Sequence, residues 1–114
     1  MATLAYEAPK TQSEVHAFLV QKLTALGLNE KERNDFIEFW EPRMQGSPYY
    51  FVTFMTNRVM DTLAPLTISP KPDTIIRVLM DFVPQTTKTN PEGYSIRTPE
   101  RKGFTVVEWG GVMR

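Results

Sequence analysis

The sequence predicts one α+β domain over residues 1–114, a two-helix hairpin packed on one face of a small, mainly antiparallel sheet of three to five strands. Three observations predict it. Two stretches carry apolar residues at three- and four-residue steps, and only Gly27, Leu28 and Asn29 separate them. Residues 73–83 (Asp-Thr-Ile-Ile-Arg-Val-Leu-Met-Asp-Phe-Val) alternate with period two. Two shorter alternating runs flank these features, at residues 49–56 and 104–109. The length of 114 residues suits one modest core.

In chain order, Thr3 to Glu7 reads as a short strand whose brevity suits an edge. Thr11 opens the first helix, with Glu14 at capping-box spacing. Val15, Phe18, Leu19, Leu23 and Leu26 form its apolar stripe, and Gly27 stops it as a left-handed cap. Asn29 opens the second helix, where Glu32 repeats the box spacing and Glu30 adds a carboxylate at the positive end of the dipole. Phe36, Ile37, Trp40 and Met44 make its stripe. Pro42 would clash with the carbonyl of Glu38, so this helix kinks or ends near Trp40 and Glu41.

Tyr50, Val52 and Phe54 share one face of the next strand; Tyr49, Phe51 and Met55 share the other. Asn57 is expected to cap a short helix running to Leu63, which Ala64-Pro65 ends. Leu66-Thr67-Ile68 reads as a brief edge strand. The run at 73–83 is the central strand, bounded by Pro70, Pro72 and Pro84. Its face of Ile76, Val78, Met80 and Phe82 is wholly apolar and is expected to meet Phe18, Leu19, Leu23, Phe36, Ile37 and Trp40. Residues 84–102 form a long loop anchored by Tyr94 and Ile96. Loops of this length are often functional. Gly103 restarts order, Glu108 and Trp109 fall on opposite faces of the last strand, and Gly110-Gly111 ends it.

Composition narrows the function. Thirteen basic residues balance thirteen acidic ones. Neither nucleic-acid binding nor bulk attraction to a membrane is expected from such a balance. The absence of cysteine excludes thiolate nucleophiles, disulfides and cysteine zinc sites. No signal peptide and no transmembrane run is visible, and the compartment stays open. His16 is the one histidine, with no partner in the pattern to build a triad or a metal site, and it reads as structural. Asp73-Thr74 lacks the glycine of the aspartic-protease motif. No glycine-rich phosphate loop occurs. No cofactor and no catalytic residue is therefore expected.

The remaining candidates are ligand-binding residues. Arg77, Asp81 and Glu108 are charges inside apolar strands. Arg77 could pair with Glu108 across the sheet, either as an ordinary ion pair or as the floor of a shallow site. Asp81 and Glu108 could do acid–base work on a glycan if they share a cleft. Tyr94, on the long loop, and Trp109 offer aromatic faces. Arg97, Arg101 and Lys102 form a small basic cluster, by default solvated.

Several stretches carry a resemblance: Gly27-Leu28-Asn29-Glu30-Lys31-Glu32, Asp35-Phe36-Ile37-Glu38-Phe39-Trp40-Glu41-Pro42, Ala64-Pro65-Leu66, Pro70-Lys71-Pro72-Asp73-Thr74-Ile75-Ile76-Arg77-Val78, and Phe104-Thr105-Val106-Val107-Glu108-Trp109-Gly110-Gly111. Together they resemble a conserved domain of hypothetical bacterial proteins, with similar versions in fungi, over roughly residues 4–111. The resemblance implies no activity, substrate or cofactor. It implies that Tyr6-Glu7 could end a preceding β-rich portion of a larger unit. The expected function is a non-enzymatic interaction or binding module for a protein or small ligand. Alternatives are a small carboxylate-based glycan hydrolase, or a structural segment whose sheet edge is completed by missing sequence or by a homodimer.

Overall fold

The computed structural model describes residues 2–7, 12–44, 46–47, 49–86 and 96–113, the side chains of 2–7 and 12–15 excepted. The chain runs β1 (Ala2–Glu7), α1 (Gln12–Ala25), α2 (Glu30–Trp40), a 3-10 turn (Glu41–Arg43), β2 (Tyr49–Met55), α3 (Asn57–Leu63), β3 (Thr74–Gln85) and β4 (Thr105–Met113). The four strands form one sheet in the order β1-β2-β3-β4. β1 with β2 and β2 with β3 are antiparallel, whereas β3 with β4 is parallel. This is the expected α+β architecture.

The helical corner forms for local reasons. Gly27 adopts φ +103°, the left-handed conformation that glycine tolerates. The Leu28 N–H donates to the Leu23 carbonyl at 3.1 Å, and the Gly27 N–H to the Thr24 carbonyl at 3.1 Å. That pair is the Schellman closure, and Leu23 and Leu28 are both buried beneath it. Asn29 then caps α2 with a complete box: its side chain accepts from the Glu32 N–H at 3.0 Å, and Glu32 accepts from the Asn29 N–H at 2.8 Å. The box expected at Thr11 and Glu14 lies outside the described residues and side chains.

Period two then assigns the sheet faces. The inner face carries Tyr50, Val52 and Phe54 from β2 and Ile76, Val78, Met80 and Phe82 from β3, all buried. They form one core with Leu19, Leu23, Phe36, Ile37 and Trp40 of the helices, and Phe18 packs against it. Trp40 sits edge-on to Phe82, ring centroids 5.6 Å apart, and Tyr50 meets Phe82 at 5.9 Å. As the Pro42 argument requires, α2 ends at Trp40 and passes into the 3-10 turn.

Four local expectations need correction. Residues 66–68 are not a strand; they belong to the irregular link from α3 to β3. Asn57 does not cap α3, since Thr56 holds the N-cap position and Asn57 is the first helical residue. β3 runs past Pro84 to Gln85. The last described pair with β4 is Phe82↔Met113, and alternation turns the missing N–H of Pro84 toward the β4 side, away from its ladder with β2. β4 likewise continues through Gly110-Gly111 to Met113. A Cβ on Gly111 would lie 2.6 Å from the Trp40 ring. This glycine therefore lets an indole lie against the strand backbone rather than ending the strand.

Candidate functional site

The outer face of β3 holds the most constrained polar cluster among the described residues. Arg77 is 2% exposed and is the one buried charged residue described. β3 places it on the face away from α1 and α2. α3 then closes over it, because the end of β2 at Met55 leaves the beginning of β3 without a ladder partner on that side. Asn57 substitutes for the absent strand. Its carboxamide accepts from the Arg77 N–H at 2.6 Å and donates to the Ile75 carbonyl at 2.6 Å.

Three acceptors surround the guanidinium. Nε donates to Glu108 Oε2 at 2.9 Å, and Nη1 donates to Asp61 Oδ1 at 3.1 Å and to the Ala64 carbonyl at 2.6 Å. Glu108 is in reach because the parallel register sets it directly beside Arg77. Ala64 is the C-cap of α3, a position where a cation is favoured. Burial alone would pull the guanidinium down from its ordinary value, but the hydrogen bonds to Asp61 and Glu108 outweigh that and raise it. The partners remain half in water: the side chain of Glu108 is 48% exposed and that of Asp61 is 62% exposed. Arg77 is thus a buried post that holds two carboxylates at the surface, with two negative charges against one positive.

Around this cluster the outer face is apolar and half-open. Tyr49, Phe51 and Met55 of β2, and Leu79 and Val83 of β3, are all partly exposed there. Asp81 lies on the same face, between Thr53 and Val112. It is four residues along β3 from the Arg77–Glu108 pair, about 13 Å at strand spacing. Acid–base pairs that cleave glycosides hold their carboxyl groups about 5–9.5 Å apart. Among the described residues no group of three or more metal-ligating side chains could hold a metal ion, and no helix is long and apolar enough to cross a membrane.

Trp109 is not part of this surface. It pairs with Val78 on the inner face and packs against Phe36, ring centroids 5.2 Å apart. It also lines a shallow groove with Asp35, Glu38, Phe39 and Arg43. Tyr94 lies outside the described residues. His16 is exposed, its Nδ1 3.2 Å from Glu41 Oε1.

The basic cluster has a structural task as well. Arg101 grips Glu32 with two bonds of 2.9 Å, tying the segment before β4 to the first turn of α2. The Arg101 bond holds the Glu32 carboxyl below its ordinary value of 4.5, against the raising effect of burial. Asp73-Thr74 is a clamp. Asp73 Oδ2 accepts from the Phe104 N–H at 2.8 Å, and Thr74 Oγ1 donates to the Lys102 carbonyl at 2.8 Å. Gly103, at φ +58°, lies too close to Asp73 for any side chain.

Comparison with protein-family models, curated proteins and solved structures finds no match. The geometry alone therefore carries the functional argument. Asp61, Ala64 and Asn57, the residues that complete the Arg77 cluster, carry no signal in the sequence beyond Asn57 opening a short helix. They become relevant only when α3 folds over the sheet.

Proposed function

We propose that the chain is a non-enzymatic interaction module. On this reading, the outer sheet face receives a protein segment with apolar side chains and at least one Lys or Arg. The observation that carries it is the half-open apolar face beside two surface carboxylates whose one internal cation is already engaged. α3 covers only the Arg77 end of that face. A half-exposed apolar sheet face offers a polypeptide segment extended contact. The surplus negative charge of Glu108 and Asp61 selects a basic side chain over an acidic one. The resemblance to a domain without known activity is compatible with this reading.

A thermal-shift screen tests it, using the purified chain against short Lys/Val-alternating peptides, their Glu/Val counterparts, glycans and nucleotides. A ligand at about 100 times its dissociation constant adds about 2.7 kcal/mol of stability. The basic peptides are expected to raise the melting temperature, and Glu108→Gln is expected to reduce that shift. Equal shifts from acidic and basic peptides would overturn the proposal, as would a shift from glycans alone that Glu108→Gln abolishes.

A further inference from the structure

β4 is the last strand of the sheet, and its outward side can be specified residue by residue. The Arg77 N–H points toward the β2 side, where Asn57 meets it. Alternation then turns Ile76, Val78, Met80 and Phe82 toward β4. In the parallel register each of them bonds the neighbours of its partner, so Val106, Glu108, Gly110 and Val112 face β3. Thr105, Val107, Trp109, Gly111 and Met113 direct their backbone groups outward. Among the described residues no hydrogen bond outside the β3 ladder reaches the N–H or C=O of Val107, Trp109 or Gly111.

Natural sheet edges are usually guarded by lysine, proline, a bulge or a covering segment. β4 itself carries no lysine and no proline, its pairing with β3 is uninterrupted over all nine residues, and among the described residues no segment hydrogen-bonds to its outward side. Its one charge is Glu108, which is turned to the outer face and engaged by Arg77.

We infer that this edge is completed by β4 of a second copy of the chain, antiparallel and centred on Trp109, so that two four-stranded sheets become one continuous sheet. Three features select this occupant and register. Trp109 is the midpoint of Thr105–Met113, so a two-fold axis there pairs the whole strand, with every outward residue in a hydrogen-bonded position. That register sets Glu108 against Gly110 of the second copy. Centring one residue earlier would set Glu108 against Glu108, and like charges directly opposite destabilise a sheet. Third, the groove between α2 and β4 adjoins the same edge. Trp109 and Phe39, 44% exposed, line it together with Asp35, Glu38 and Arg43. An isolated peptide strand would satisfy the edge and leave this groove open. A second copy brings its own α2 and the same mixture of charges, so apolar surface is covered and opposite charges can meet. The inference does not depend on the proposed role of the outer face.

The protein's mass in solution, measured by sedimentation velocity over a concentration series, tests this directly. A monomer–dimer equilibrium is expected. Val107→Pro removes an outward N–H and no bond to β3, and Val112→Lys places a charge against Val106 of the second copy. Both are expected to abolish the dimer with an unchanged circular dichroism spectrum, and Val112→Lys decides the matter if the proline variant fails to fold. The register has its own readout. Residues 106 and 112 are about 20 Å apart on one strand, too far for an internal disulfide. In the inferred register they face each other across the interface in a non-hydrogen-bonded pair, Cα atoms about 4.5 Å apart. Val106→Cys/Val112→Cys, in a chain that otherwise lacks cysteine, is therefore expected to yield a covalent dimer on oxidation. A protein that stays monomeric at its highest soluble concentration would overturn the inference. So would an open-ended series of oligomers joined through β1, or a dimer that Val112→Lys leaves intact.

Discussion

Arg77 shows how a buried charge depends on which partner is removed. The guanidinium is out of water, while Glu108 and Asp61 each keep about half of their side-chain surface in it. Deleting Glu108 leaves a buried cation with one acceptor fewer. Deleting Arg77 releases two carboxylates that water can solvate. Glu108→Ala is therefore expected to cost about 1.5–3 kcal/mol, and Arg77→Met less, both read from urea melts. A larger loss from Arg77→Met would mean that its packing outweighs its charge. Glu32 gives a pH-dependent counterpart. Its carboxyl is held below 4.5 by Arg101, so the folded state binds its proton less readily than the unfolded chain. The stabilisation is complete well above 4.5 and is lost as pH falls through the lowered value. Partial exposure of both side chains limits its size. Arg101→Met is expected to lower stability at neutral pH and to flatten the acid limb of the stability curve below pH 4.5. An acid limb as steep as the parent's would show that the bond does not set it.

Among the elements, those determined locally were the legible ones. The Schellman turn at Gly27 and the box at Asn29 depend on residues within four positions of each other, and both formed as the spacing required. The inner face of β3 was legible because four apolar residues at period two admit one burial. Val78→Asp puts a carboxylate into that face and is expected to abolish the cooperative thermal transition. A variant that melts like the parent would place the wrong face of β3 inside. Gly110-Gly111 misled because the reason for a glycine at 111 is Trp40, seventy-one residues earlier in the chain. Leu66 to Ile68 has strand-like composition, but these residues pair with no strand and form part of the irregular link from α3 to β3. The Arg77–Glu108 pair was legible as charges stranded among apolar residues. Asp61 and Ala64 were not, since nothing in a short polar helix says that it will lie over a strand. Trp109 was legible as an exposed-strand aromatic, but its packing on Phe36 and its place in the groove beside α2 follow only from the register.

For the whole molecule, the mixed sheet has a consequence in time. β2 and β3 are antiparallel, so the sequence separation of their pairs shrinks from 36 residues at Tyr49↔Gln85 to 24 at Met55↔Leu79. Pairing can begin near α3 and zip outward. In the parallel pair the separation stays at 31 residues from Thr74↔Thr105 to Phe82↔Met113. No β4 contact is cheaper in loop entropy than any other, so the pair has no short loop at which to start. β4 is therefore expected to dock after the rate-limiting step. In stopped-flow chevrons, Val107→Ala should speed unfolding and leave refolding nearly unchanged, whereas Val52→Ala should slow refolding. Equal slowing by both would place β4 in the nucleus. While β4 is absent, β3 carries a bare edge of Ile76, Val78, Met80 and Phe82 backbone groups next to an uncovered apolar layer. That interval is when a refolding chain is most exposed to capture by its neighbours, so recovery of soluble protein should fall with concentration during refolding.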